Sequence, residues 1–161
     1  MPMNERVSRV GFGVYVHFPF CLAKCPYCDF ASEPCAAIPG ERYAQAICRE
    51  LAMRSADASG RRCTSIYLGG GTPSLWRPAD LRLALDALRS VVGLAPDAEV
   101  TLEANPGAAD AERFAAFREA GVNRLSIGVQ SFDPGSLSRL GRIHSAAEAV
   151  AAFRALPARS A

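Results

Sequence analysis

Four times over, the chain sets a short β-branched or aromatic run before a polar or glycine-rich turn and then a helical pattern. Val14–Phe18 (VYVHF) predicts a strand. From Glu41 to Arg54, Tyr43, Ile47 and Leu51 recur every four residues, which predicts an amphipathic helix with Gly60 beyond its end. Thr64–Leu68 (TSIYL) predicts a second strand that runs into GGGTPS. Pro78 suits the first turn of the next helix, Leu81, Leu85, Leu88 and Val92 form its buried stripe, and Gly93 is its cap. Glu99–Glu103 (EVTLE) predicts a third strand, broken by Asn105-Pro106-Gly107. Asp110 can cap the helix that follows, with Phe114 and Phe117 facing inward and Gly121 at its end. Arg124–Val129 (RLSIGV) predicts a fourth strand. A helical stretch near Pro134–Leu140 and a helix from Ala146 to about Leu156 close the chain. Strand–helix alternation of this kind argues for an α/β fold with a parallel sheet and helical crossovers.

In parallel α/β folds, ligands sit at the carboxyl ends of the strands. Here the first strand ends at a cysteine-rich loop and the second at Gly69-Gly70-Gly71-Thr72-Pro73. The third ends at Glu103-Ala104-Asn105-Pro106 and the fourth at Gln130-Ser131. All of these segments would share one rim, and that convergence points to a site more strongly than any single motif. The glycine run alone reads equally as a tight turn, and it is not a P-loop, because no Gly-Lys-Ser/Thr follows. The 161 residues, half of them hydrophobic, suffice for one domain with a real core. A net charge of +2 makes no case for nucleic acid or an anionic membrane as partner. The N-terminal MPMNERVSRVGFG lacks the apolar stretch of a signal peptide, and no run reaches the ~18 apolar residues of a membrane span. A cytoplasmic protein without a transmembrane segment is expected.

The loop CLAKCPYC carries Cys21, Cys25 and Cys28, half of the six cysteines in the chain. In a reducing compartment such crowding favours metal binding or redox chemistry over disulfides. Thiolates at this spacing suit zinc or an iron–sulfur cluster. A structural zinc would be closed by a fourth ligand, and none is obvious; an open fourth position is what a reactive metal needs. Cys35 stays open as a further ligand. Cys48 and Cys63 read as small core residues, Trp76 as a packing residue, and neither His17 nor His144 is assigned a catalytic role.

The string YVHFPFCLAKCPYCDF, followed in order by GGGTPS, LEANPG, NRLSIGVQSF and LGRIH, resembles the radical S-adenosylmethionine (radical SAM) superfamily. Within it, the string is similar to the branch of the oxygen-independent coproporphyrinogen III oxidases and HemW-type haem chaperones. The likeness runs from about Gly13 to Arg154. It implies that Cys21, Cys25 and Cys28 hold a [4Fe–4S] cluster whose unique iron chelates S-adenosylmethionine (SAM). One electron would then break the sulfonium C–S bond, giving methionine and a 5′-deoxyadenosyl radical. It further implies a place near SAM for Tyr15, adenine packing for Tyr27, and approach of the methionyl group to Gly70, Gly71 and Thr72. Glu103 and Gln130 match polar SAM contacts, and Arg142 an arginine suited to a carboxylate. A reductant protein for the cluster is also implied.

Two departures from the family pattern shape the expectation. The coproporphyrinogen oxidases carry a further cysteine two residues after the third, where this chain has Phe30, and a longer segment ahead of the loop. Both point to the HemW-like side, with haem or porphyrin as partner and oxidative decarboxylation of propionates as the alternative; a non-catalytic zinc or iron–sulfur module and a vestigial fragment that does not fold alone are the others. Family members are more than twice as long and build a partial (β/α)6 TIM-type barrel. Here residues 1–12 read as a tail and 13–161 as a partial core, truncated after its fourth βα unit, with haem-recognition elements in the missing C-terminal region. The sequence then reads as a fragment, a truncated frame or half of a split protein. Such an open sheet is expected to expose an apolar edge and an apolar inner face.

Overall fold

A computed structural model describes residues 11–58, 61–106 and 111–155. The main sheet is built from β1 (Phe12–Phe18), β4 (Cys63–Gly70), β5 (Leu94–Ala104) and β6 (Arg124–Ile127), in that spatial order and all parallel. Helices α1 (Gly40–Met53), α2 (Pro78–Val92) and α3 (Ala111–Ala120) make the crossovers. A short α4 (Pro134–Arg139) and α5 (Ala146–Arg154) follow β6. Neighbouring strands are sequence neighbours in the sheet, so every carboxyl end lies on one rim, as the sequence pattern requires.

Alternation along the strands decides which face is dry. Val16, Phe18, Ile66, Leu68, Val100, Leu102 and Ala104 are buried against the helices. There they meet Leu81, Leu85, Leu88, Phe114 and Phe117, the stripes read from the sequence. Trp76 is fully buried, packs on Phe18 and Tyr43, and donates its indole N–H to the Gly40 carbonyl at 3.0 Å. Gly93 adopts the left-handed conformation (φ 54°) that ends α2, a backbone state in which a side chain is strained. No helix among the described residues is long and apolar enough to cross a membrane.

Some expectations are corrected. The inner face is polar and aromatic, not apolar: Tyr15, His17, Ser65, Tyr67, Glu99, Thr101, Glu103, Arg124 and Ser126 alternate with the buried set. β5 starts at Leu94 rather than Glu99, because Leu94 already pairs with Cys63. β6 stops at Ile127 rather than Val129, where the chain tightens through Val129 N–H to Ile127 and Ser131 N–H to Val129. Cys63 is buried as the first residue of β4, but Cys48 is only half-buried between α1 and α2. Gly60, Gly107, Asp110 and Leu156 lie outside the described residues.

Candidate functional site

The cysteine loop is closed by a small parallel ladder of β2 (Phe20–Cys21) and β3 (Glu33–Pro34). Glu33 N–H bonds to Pro19 O and Cys35 N–H to Cys21 O, each at 2.8 Å. This pins both ends of the loop beside β1. The glycine-rich end of β4 then crosses it: Gly71 N–H donates to Phe18 O at 2.6 Å and Thr72 N–H to Phe20 O at 2.9 Å. A Cβ on Gly71 would stand 2.5 Å from Phe20 O and 3.0 Å from Cys21 Sγ. Only a residue without a side chain permits that approach, which is the physical content of the glycine run.

Cys21, Cys25, Cys28, Tyr27, Gly70, Gly71, Thr72, Glu103, Gln130 and Arg142 all border one cleft of about 320 Å³ at the carboxyl rim. Four separate strand ends supply nine of them, and the loop after α4 supplies Arg142. Tyr15 is the exception: it stands on the inner face of β1, 57% exposed, with its hydroxyl 3.0 Å from His17 Nδ1 and its ring stacked on Tyr67. Tyr67 links it to the cleft, donating to Glu103 Oε1 at 2.7 Å. The other Glu103 oxygen accepts Gly70 N–H at 3.1 Å. The carboxylate holding its proton, together with partial burial, keeps the Tyr67 phenol above its ordinary range. Burial likewise raises Tyr27, partly offset by the guanidinium of Arg142 at 3.4 Å from its hydroxyl.

Arg142 enters from the loop after α4 and touches much of the rim. It donates to Asn105 Oδ1 at 2.8 Å, to the Gly128 carbonyl, and to Cys25 Sγ at 3.6 Å. Its Nε is buried with no hydrogen-bond partner, a donor a bound anion could satisfy. Gln130 holds a positive φ of 66°, uncommon for a residue with a side chain. Strain of this kind clusters at ligand sites.

Asn105, Tyr67 and His17 were not singled out by the sequence as site residues. Asn105 sits inside LEANPG, where it reads as a strand break. His17 bridges Tyr15 and the Ala31 carbonyl of the cysteine loop, the latter at 2.7 Å. Cys35 is away from the cleft lining, and its Sγ lies 3.2 Å from Ala37 O.

Among the described residues, no three His, Cys, Asp or Glu side chains gather around one point as a single metal ion demands. Cys21, Cys25 and Cys28 all line the cleft, and separate thiolates are the donors that the irons of an iron–sulfur cluster take. The buried Arg142 Nε and the glycine-cleared backbone fit an anionic, chelating co-ligand beside it.

Comparison with known proteins agrees with this geometry. The family model described as the radical SAM superfamily matches residues 15–160. The chain is 48% identical over 137 residues to "Heme chaperone HemW" of Escherichia coli (strain K12), covering 84% of this chain and 36% of that protein. It is 42% identical over 149 residues to the mouse "Radical S-adenosyl methionine domain-containing protein 1, mitochondrial", covering 92% of this chain and 34% of the relative. Among solved structures, it superposes on coproporphyrinogen III oxidase (HemN) from Escherichia coli, described as a radical SAM enzyme, with a TM-score of 0.83 at 27% identity. That match covers 92% of this chain and 35% of HemN. The chain thus spans about a third of the length of these relatives.

Proposed function

The chain belongs to the radical SAM superfamily, whose members use SAM and a [4Fe–4S] cluster, and on that footing we propose that residues 13–161 are the cofactor-binding part of a cytoplasmic HemW-like haem chaperone. In this reading Cys21, Cys25 and Cys28 hold the cluster. When bound, the cluster supplies the single electron that reductive SAM cleavage needs. Gly70 and Gly71 leave bare backbone for the methionyl group, and Thr72 closes the same wall. Glu103 and Gln130 take polar groups of SAM, Arg142 its carboxylate, and Tyr27 packs on the adenine; Tyr15 flanks the site through Tyr67. Haem or porphyrin would be recognised by the remainder of a full-length protein, and a reductant protein would deliver the electron.

The observation that carries the reading is the convergence of ten matched residues, from four strand ends and the loop after α4, on one cleft. The likeness to HemN favours a second reading, oxidative decarboxylation of porphyrinogen propionates. Phe30 and the higher identity to HemW weigh for the chaperone.

The test is anaerobic reconstitution with iron and sulfide, then reduction by dithionite with and without SAM. The expected result is the broad absorbance of a [4Fe–4S] cluster and an EPR signal that SAM perturbs. Cys21→Ala, Cys25→Ala and Cys28→Ala should abolish it, while Cys48→Ala and Cys63→Ala should keep it. If all of these replacements behave alike, the ligand assignment fails.

A further inference from the structure

Two of the three loop cysteines receive a side-chain hydrogen bond, and the two donors are joined through one residue. Cys21 Sγ accepts from Thr72 Oγ1 at 3.7 Å, and Cys25 Sγ from Arg142 Nη1 at 3.6 Å. Between the donors stands Asn105, whose Nδ2 lies 3.2 Å from Thr72 Oγ1 and whose Oδ1 lies 2.8 Å from Arg142 Nη2. The direction of this relay follows from chemistry. A guanidinium only donates, so the Asn105 oxygen must face Arg142. The Asn105 amide then donates to the Thr72 oxygen. With that lone pair engaged, the threonine proton is left to point at Cys21 Sγ. Thr72 is 5% exposed, so no bulk water competes for the hydroxyl.

Cys28 differs. Its sulfur lies 4.0 Å from Ser32 Oγ, and that hydroxyl is also 3.5 Å from the Phe30 carbonyl, an alternative acceptor for its proton. The relay therefore treats the three thiolates unequally.

We propose that Asn105 is a positioning residue that orients Thr72 and Arg142 as donors to the Cys21 and Cys25 thiolates, and so raises the reduction potential of the cluster they hold. The proposal rests on the cluster reading above. Reduction makes the cluster and its thiolates more negative, and hydrogen bonds to the sulfurs stabilise that extra charge. Cys25 gains a full positive charge nearby, and Cys21 a neutral dipole set by Asn105.

The test is an anaerobic redox titration of the reconstituted chain, followed by EPR and visible absorbance. Thr72→Val keeps the shape and removes the hydroxyl, and it should shift the midpoint to a more negative potential. Thr72→Ser restores the hydroxyl and should restore the wild-type midpoint. Asn105→Asp still accepts from Arg142 but turns the Thr72 hydroxyl toward itself, and should also shift the midpoint negative. In the double variant the two shifts should sum to less than their separate values, because the aspartate has no hydroxyl left to turn.

A Thr72→Val midpoint equal to wild type overturns the proposal, as do fully additive shifts, which would mean the aspartate acts by charge alone. If Thr72→Val takes up no cluster while Thr72→Ser does so at the wild-type potential, the hydroxyl is required and the proposal stands. If neither Thr72 variant assembles a cluster, packing rather than the hydroxyl governs, and the proposal falls. A wild-type chain that takes up no cluster overturns the cluster reading together with this one. A wild type that loads normally while its variants stay at the same potential overturns this inference alone.

Discussion

The two faces of the sheet use the same strands for opposite ends. On the helix side every second residue is aliphatic or aromatic and buried, from Val16 and Phe18 through Leu102 and Ala104. On the other side the intervening residues form a polar sequence across the strands: Tyr15 pairs with Tyr67, Tyr67 with Thr101, and Thr101 with Arg124. The first face is interchangeable chemistry, in which any well-packed apolar residue serves. The second is specific chemistry, in which side chains hold one another: Tyr67 with Glu103, Thr101 with Glu99, Arg124 with both Glu99 and Thr101. A strand of an α/β fold is thus half scaffold and half site, and adjacent residues can differ completely in what their loss does.

Leu102 and Glu103 give the sharpest form of that contrast, because they are neighbours on β5. Leu102→Ala removes a fully buried side chain and should cost about 2–5 kcal/mol, read as a fall in thermal midpoint. Glu103→Gln gives up the charge in the bonds from Tyr67 and Gly70 N–H and should cost about 1.5–3 kcal/mol, less than Leu102→Ala. Equal losses for the two would break the division between faces.

Gly71→Ala tests the rim where the faces meet. The added Cβ meets the Phe20 backbone, which cannot swing away, and the sulfur of Cys21, which must give way. An overpacking cost of about 1–3 kcal/mol is expected. Iron content after reconstitution should fall with it, because Cys21 is the group displaced. Unchanged iron loading would show that the close approach at Gly71 does not set the cysteine's position.

Glu103→Gln should also weaken binding. Hydrogen bonds to a charged group are worth about 1.5–3 kcal/mol, so SAM affinity of the reconstituted chain should drop roughly ten-fold or more by calorimetry, with cluster content unchanged. Loss of affinity no greater than two-fold would remove Glu103 from the contact set.

The helix face is legible in the sequence because burial imposes a period, and Leu81, Leu85, Leu88 and Val92 or Phe114 and Phe117 keep it. The rim is legible only through motif strings, and even there only for residues whose type is unusual, such as the cysteines and glycines. Asn105 stays hidden because asparagine before proline is what an ordinary turn looks like. Its role depends on Thr72 and Arg142, 33 and 37 residues away in sequence, brought together by folding. The apolar inner face expected of an open sheet is wrong for a related reason. Alternation says that two faces differ, but whether the second is apolar depends on what it later encloses. Tyr15 matches the site by its place in a string, yet reaches the cleft only through Tyr67.

The smallest effect probes whether Tyr67 and Glu103 act as one unit. All four tyrosines have phenols raised above the ordinary value, but not for the same reason. Tyr43, on the helix side, is raised chiefly by burial; Tyr67, on the inner face, chiefly by its bond to the Glu103 carboxylate. A raised folded-state value means the folded chain holds the proton more tightly. The associated stability is therefore intact below the ordinary phenol value of about 10 and is lost as pH rises through the folded value. Comparing thermal midpoints near pH 8 with those above about pH 10 isolates this loss, the other ionising groups being common to every variant. Tyr67→Phe should flatten the decline. Glu103→Gln should flatten most of it, since without the carboxylate only partial burial keeps the Tyr67 phenol raised. The double variant should add little to either single change. Tyr43→Phe should flatten the decline by its own amount whether Glu103 is present or not, because no bond to that carboxylate raises it. Additivity between Tyr67→Phe and Glu103→Gln, or coupling between Tyr43→Phe and Glu103→Gln, would mean that the inner face is not organised around the carboxylate as the hydrogen bonds indicate.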